Sequence, residues 1–308
     1  MAKELTARLW GRANRDWQRY RFERVVSGVH RLPPLQRGAA PLTLLSMVQP
    51  RDVAPYLLAL RSLYRSVPAR RVVVVCDPKM SGSDVETIRR SVPFVETHKA
   101  ESFRDAAFPV GGCWERLAAI AHISRDDYVV QLDADTVALR SLDEVARAAA
   151  EERAFVIGEE PGQHIVTCQQ ASATAAEYLS RVADRHIQAW AERELVNATE
   201  PGRFYVRGCA GFTGFPRNGM MLEHMREFSL AMRARLNERW GEWGTEQVAS
   251  NFLAANLPGA FVLPFPAYAT PDVTTPQTRF LHFIGSLRFE SGAYARAARS
   301  VIAELAPH

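Results

Sequence analysis

Cysteine is scarce in this chain of 308 residues: Cys76, Cys113, Cys168 and Cys209 stand 37, 55 and 41 residues apart. That spacing excludes a compact disulfide framework and offers no paired metal-ligand motif, so a reducing compartment is the simpler reading. Long apolar runs are missing too, since no stretch approaches the roughly 18 residues that a membrane-crossing helix needs. The opening MAKELTARLWGRANRDW has none of the apolar core of a signal peptide, and the sequence predicts a protein made and kept in the cytoplasm. Internal repeats and low-complexity segments are absent as well. What is left is an ordinary globular composition, 47% apolar and 23% charged, enough to bury a sizeable core.

Net charge is +4, but residues 1–40 alone carry +6 and the remainder −2. A basic excess spread over a domain face would point to nucleic acid; here it comes from one arm without a recognition motif, which argues against that partner. In the arm Leu5, Leu9, Ala13 and Trp17 recur at four-residue spacing, with Trp10 beside them and arginines between, which predicts an amphipathic helix. Its apolar stripe would dock on the body or on a second copy of the chain, making a homo-oligomer through residues 1–39. The competing reading is peripheral contact with the anionic inner face of a membrane. Pro33, Pro34 and Gly38 end the helix, so the sequence divides into a basic helical arm, 1–39, and a body, 40–308.

The body alternates strand with helix. Residues 42–48, 71–76, 94–97 and 128–132 read as buried strands, and 52–66, a segment ending at Ser91, and 113–123 read as helices. Ser83 with Glu86, and Ser141 with Glu144, have the spacing of capping boxes. This alternation predicts an α/β fold with a largely parallel sheet. Beyond residue 158 the pattern predicts one long helix over 171–196, a glycine-rich strand over 205–215 with Gly208, Gly211 and Gly214, helices over 220–240 and 246–256, strands over 260–263 and 280–284, and a terminal helix over 293–305.

The chemistry concentrates in DYVVQLDADTVALRSL. Strand 128–132 runs straight into Asp133, Ala134 and Asp135, so two carboxylates one residue apart sit at the C-terminal end of a parallel strand, the usual place for ligands in open α/β sheets. Two carboxylates seldom fill the shell of a divalent ion; Mg²⁺ or Mn²⁺ held this way keeps positions open for substrate phosphates. An aspartate pair after a strand also fits phosphatases of the haloacid-dehalogenase type, with Asp133 as nucleophile and Asp135 as acid/base. Those enzymes carry the pair on their first strand, whereas α/β chain precedes Asp133 here, and no later acidic Gly-Asp pair completes their metal site.

At this point the sequence resembles the GT-A glycosyltransferases, and more narrowly glycosyltransferase family 8, the group of glycogenin and the lipopolysaccharide galactosyltransferases. Four matches carry the resemblance: Asp133-Ala134-Asp135; Arg116 in WERLAAIAHIS; Glu246-Gln247 in GTEQVASNFL with Asn251 following; and His282, Gly285 and Arg288 in LHFIGSLR, similar to the family's His-x-x-Gly-x-x-Lys signature with arginine for lysine. The resemblance implies a Rossmann-like GT-A fold with a mixed central sheet behind the helical arm. It implies a nucleotide-sugar donor, in the first place a UDP-sugar, held by Arg116, Asp133, Gly285 and Arg288. A Mn²⁺ or Mg²⁺ ion would be bound by Asp133, Asp135 and His282. Gln247 and Glu246 would stand beside the reacting sugar, transfer would proceed with retention, and the acceptor would be a saccharide or glycolipid in polysaccharide biosynthesis. If Glu246 instead reached the acceptor hydroxyl it could act as general base in an inverting displacement, and as a bland alternative Thr245 and Glu246 merely start a helix. Trp240 and Trp243 could form a platform for an acceptor sugar. The family's Asn-Ala-Gly stands here as Cys209-Ala210-Gly211, its Pro-Trp after the signature is Phe289-Glu290, and its base-stacking tyrosine has no counterpart near 49–52. A scaffold that binds nucleotide sugar without turnover is the non-enzymatic reading of the same residues.

Overall fold

The computed structural model describes residues 2–158, 160–183 and 186–306, and within these every side chain except those of residues 2–9 and Ser286. Helix α1 (Ala2–Val26) leads through a 3₁₀ turn to strand β1 (Ala40–Val48). There follow α2 (Val53–Tyr64), β2 (Ala69–Cys76), α3 (Gly82–Ser91), β3 (Glu96–Lys99), α4 (Trp114–Ile123), β4 (Tyr128–Leu132), β5 (Thr136–Ala138), α5 (Asp143–Ala150) and β6 (Phe155–Gly158). The second half contains β7 (Val166–Thr167), α6 (Cys168–Arg181), α7 (Ile187–Ala198), β8 (Phe204–Tyr205), β9 (Gly208–Phe215), α8 (Met221–Leu236) and α9 (Thr245–Ala255). It closes with β10 (Phe261–Val262), β11 (Tyr268–Ala269), β12 (Phe280–His282) and α10 (Ala293–Leu305). Among the described residues no helix is long and apolar enough to cross a membrane.

Seven strands form one mixed sheet in the order β10-β6-β9-β4-β1-β2-β3, with β9 antiparallel to both its neighbours and the other pairs parallel. Strands β1, β2 and β4 are apolar on both faces because helices cover both, the pattern a parallel sheet requires. One core cluster joins β2, β4 and β9 to α4, α7, α8 and α9; another joins the opposite face to α2, α3 and α5. A three-stranded sheet, β11-β12-β5, stands beside the main one, with β5 and β12 antiparallel.

Several local expectations change. The helix predicted over 171–196 is two, α6 and α7; no glycine or proline marks the break, α6 ending where Val182 turns extended and α7 starting after His186, whose Nδ1 accepts the Gln188 N–H at 3.3 Å. The capping box of α3 is Ser81 with Asp84, two residues before the predicted pair, and α5 has no side-chain cap, because Ser141 donates to Asp143 and Glu144 accepts from the Tyr268 hydroxyl. Strand β3 begins two residues later than predicted, and β12 ends at His282.

The arm departs furthest from expectation. Its docked face is Phe22, Val26 and Val29, not the predicted stripe: Ala13, Trp17 and Trp10 are exposed, and the side chains of Leu5 and Leu9 lie outside the described residues. Phe22 stacks on Tyr294 with centroids 3.7 Å apart and joins Leu58, Val137, Leu281 and Phe283 in a third cluster beneath the small sheet. Truncating Phe22 to alanine is therefore expected to cost about 3–5 kcal/mol, read from urea unfolding of the whole chain. A loss below about 1 kcal/mol would mean that the arm is not part of this core.

Candidate active site

The two aspartates lie where the chain leaves the main sheet. The Asp133 N–H still donates to Gly211 O at 2.8 Å, as the next rung of the β4–β9 ladder, and the chain then turns through Ala134 into β5. Because β5 pairs with β12, Thr136 stands opposite His282 and the Phe283 N–H donates to Asp135 O at 2.8 Å. Residues some 150 positions apart in sequence are thus brought together by one short antiparallel ladder. His282 Nε2 is 3.2 Å from Asp135 Oδ1, and Arg288 Nη2 donates to the other Asp135 oxygen. Donor atoms of Asp133, Asp135 and His282 all lie within 4.8 Å of one another.

The three glycines of β9 have a structural reason. A Cβ on Gly211 would sit 2.6 Å from His282 Nε2, one on Gly214 would meet Tyr128 and Phe155, and one on Gly208 would press on Ile157 O at 2.9 Å. Gly211 is therefore the notch into which the imidazole fits. Gly211→Ala is expected to displace His282, costing about 1–3 kcal/mol of stability by overpacking. A Mn²⁺ titration followed by electron paramagnetic resonance should show at least about tenfold weaker binding. Unchanged affinity would overturn the expectation that His282 serves as a metal ligand.

Arg116 and Glu246 face each other from α4 and α9. The guanidinium Nη2 donates to both Glu246 oxygens at 3.0 and 3.2 Å, while Nη1 donates to Asp133. Arg116 and Glu246 are 5% and 4% exposed, so this is a buried cation shared by two carboxylates. Burial, with Asp133 adding to it, raises the Glu246 carboxyl to about 7 even though Arg116 opposes the shift. Arg116 stays firmly protonated, since Asp133 and Glu246 outweigh its burial. Burial also raises Asp133, against the pull of Arg116. Asp135 differs: burial would raise it, but His282 and Arg288 together hold it down at about 2. His282 is kept protonated well above the usual imidazole range, Cys209 and Asp135 overcoming its desolvation.

The remaining expected residues gather around this centre. Gln247 Oε1 accepts the Ala210 N–H at 3.2 Å and its Nε2 donates to Gln188 at 3.3 Å, so the carboxamide spans β9 and α7. Asn251, one turn on, donates to Gly208 O at 2.6 Å. Gly285 has φ +39° with open space where a Cβ would stand, and it begins the 3₁₀ turn Gly285–Phe289 that carries Arg288 to Asp135. Thr245 does start α9, but Glu246 points inward to Arg116 rather than capping the helix. Trp240 is core, its indole N–H bonded to Ser229 at 3.0 Å, and Trp243 is 74% exposed with an edge contact to His186.

Three participants escaped the sequence reading of the site. Cys209 Sγ lies 3.3 Å from His282 Nδ1 and holds the ring with Nε2 toward Asp135. The Tyr294 hydroxyl donates to Ala134 O at 3.3 Å, tying the aspartate turn to the Phe22–Tyr294 stack. Asp52 lies 3.8 Å from Arg288. Cys209 stood out as a departure from Asn-Ala-Gly; nothing local distinguished Tyr294 or Asp52.

No family model matches the chain, and neither does any curated protein. Several solved structures are similar to it over most of its length. The bifunctional glycosyltransferase WbbM, without ligand, is 14% identical with a TM-score of 0.48 over 82% of this chain, which spans about half (47%) of that protein. Mouse xyloside xylosyltransferase 1 is 15% identical with a TM-score of 0.46, covering 80% of this chain and 98% of that one. The galactosyltransferase LgtC, solved with donor and acceptor sugar analogues, is 13% identical with a TM-score of 0.40 over 84% of this chain and 96% of that one.

Proposed function

We propose that the chain is a metal-dependent glycosyltransferase that moves a sugar from a nucleoside-diphosphate donor, in the first place a UDP-sugar, to a saccharide or glycolipid acceptor with retention. The observation that carries this reading is the convergence of Asp133, Asp135 and His282 within 4.8 Å, with Arg288 on the same carboxylate. Two hard carboxylate oxygens and an imidazole suit Mn²⁺ or Mg²⁺, and a guanidinium offers two parallel donors to a phosphate. When bound, such an ion supplies positive charge at the diphosphate as it departs. The chain's own residues do the rest: Arg288, on a turn opened by Gly285, receives diphosphate oxygens, and Arg116 with Asp133 holds the donor sugar. Such preorganised electrostatic contacts are usually the largest contribution to catalysis.

We read Glu246 as orienting Arg116, since both its oxygens accept from that guanidinium and it is 4% exposed. Gln247 is a carboxamide and a poor nucleophile or base. With neither side chain set to take the acceptor proton, the departing diphosphate oxygen is the base within reach, and attack from its own face retains configuration. Exposed Trp243, two residues before α9, would stack on the acceptor. A phosphatase reading finds no comparable support: Asp133, its nucleophile, is tied to Arg116, and the third ligand is a histidine.

The test is thermal unfolding with a panel of nucleotide sugars, each with Mn²⁺ or EDTA, followed by product analysis for the one that binds. A donor at about a hundred times its dissociation constant should add about 2.7 kcal/mol, with metal only. Stabilisation by phosphate monoesters, or a flat response to every nucleotide, would overturn the reading.

A further inference from the structure

Helix α1 has a second apolar face that no other described element of the chain covers. Trp10, Ala13, Trp17 and Tyr20 follow one another at spacings of three, four and three, and on an α-helix they fall on one side, turned away from the docked Phe22 and Val26. The three aromatic residues are 78%, 56% and 48% exposed. Trp17 and Tyr20 stack at 5.8 Å, and Arg24 lies over the Tyr20 ring with its guanidinium donating to the hydroxyl at 3.1 Å. Alternating steps of three and four are the a and d positions of a two-helix seam. The borders of this stripe carry opposite charge. Asp16 and Glu23 run along one edge, Arg21 stands on the other, and Arg24, at the next a position, folds back over Tyr20 and ends the apolar run. Asp16 makes no ion pair among the described residues.

We propose that the occupant of this stripe is a second copy of the chain, two α1 helices pairing in parallel about a two-fold axis. In that arrangement a residue at a g position meets the residue five further on in its neighbour, so Asp16 of each copy faces Arg21 of the partner subunit, twice over. Layers of Trp10 and Trp17 alternate with the small Ala13, and Tyr20 closes the seam. A helix this short is marginal alone, but each copy is held by its own body, so pairing does not carry the cost of forming the helix. An anionic bilayer would attract the arginines of this arm, but Asp16 and Glu23 border the stripe itself, and the test below separates the two occupants. Since α1 also rests on Tyr294, whose hydroxyl holds the Ala134 carbonyl, the seam fixes how the two candidate sites face each other.

The test is sedimentation equilibrium on the full chain. The expected result is a reversible dimer, converted to monomer by Trp10→Ala with Trp17→Ala, both exposed positions whose replacement leaves the melting of the body in place. Asp16→Arg and Arg21→Asp should each weaken self-association about tenfold or more, and mixing the two variants should restore a dimer, because every cross-pair is then of opposite charge. A wild type that stays monomeric, a double tryptophan variant that stays dimeric, or two charge variants that do not recombine would each overturn the proposal. Flotation of a monomeric wild type with anionic vesicles, dependent on Trp10 and Trp17, would assign the stripe to lipid instead.

Discussion

Replacing Arg116 by leucine is expected to cost about 3 kcal/mol at neutral pH, since it leaves the buried Glu246 and the half-buried Asp133 without their cation. The loss should shrink in acid, where Asp133 and Glu246 take up protons. The companion substitution has the opposite sign. In the native protein one guanidinium serves both carboxylates, and burial raises Glu246 from 4.5 to about 7. An acid whose folded pKa is raised contributes stability that is fully present below pH 4.5 and lost as pH rises through 7, here about 3 kcal/mol. Glu246→Gln keeps an oxygen for Arg116 and leaves that cation in a one-to-one pair with Asp133. Its stability curve should therefore meet the wild type in acid and lie above it beyond about pH 7, by up to that amount less the weakened hydrogen bond. Urea unfolding across this pH range reads both variants, and a Glu246→Gln protein less stable than wild type at about pH 8 would mean that the shared cation neutralises both carboxylates fully.

How much of this was legible in the sequence follows from the range of the interactions. Strands β1, β2 and β4 could be read because each is a continuous apolar run, and the helices α2, α4 and α10 because their apolar period is local. The start of α7 after His186 could not, because it depends on one side chain turning back to cap that helix. The grouping of Asp133, Asp135 and His282 was anticipated only through motif resemblance; its physical cause is the β5–β12 ladder, a pairing across the whole second half of the chain. The glycines of β9 show the same limit. Their spacing was visible, yet only the packing of His282, Tyr128 and Phe155 tells what each clears. In the arm, periodicity marked Ala13 and Trp17, which are exposed, and passed over Phe22 and Val26, which dock, because both faces of α1 carry apolar residues.

The two aspartates should separate when each is changed to asparagine. Asp135 is held at about 2 by His282 and Arg288, below its ordinary 3.8, and so contributes stability that is present above pH 3.8 and lost as pH falls through 2. Asp135→Asn should cost about 2 kcal/mol at neutral pH without any ligand, partly relieved as His282 gives up its proton. Asp133 is raised by burial, so Asp133→Asn removes a charge the fold already disfavours, and unfolding without ligand should be nearly unchanged or slightly more stable. Both variants nevertheless lose one oxygen donor of the same three-residue group, and both should lose the metal-dependent stabilisation by nucleotide sugar, at least about a hundredfold in affinity. Asp16→Asn, on the exposed face of α1, should leave that stabilisation intact. The informative combination is equal loss of metal-dependent binding with unequal loss of fold stability. If Asp133→Asn still bound nucleotide in a metal-dependent way, the ion would rest on Asp135 and His282 alone, and Asp133 would serve only as the counter-charge of Arg116.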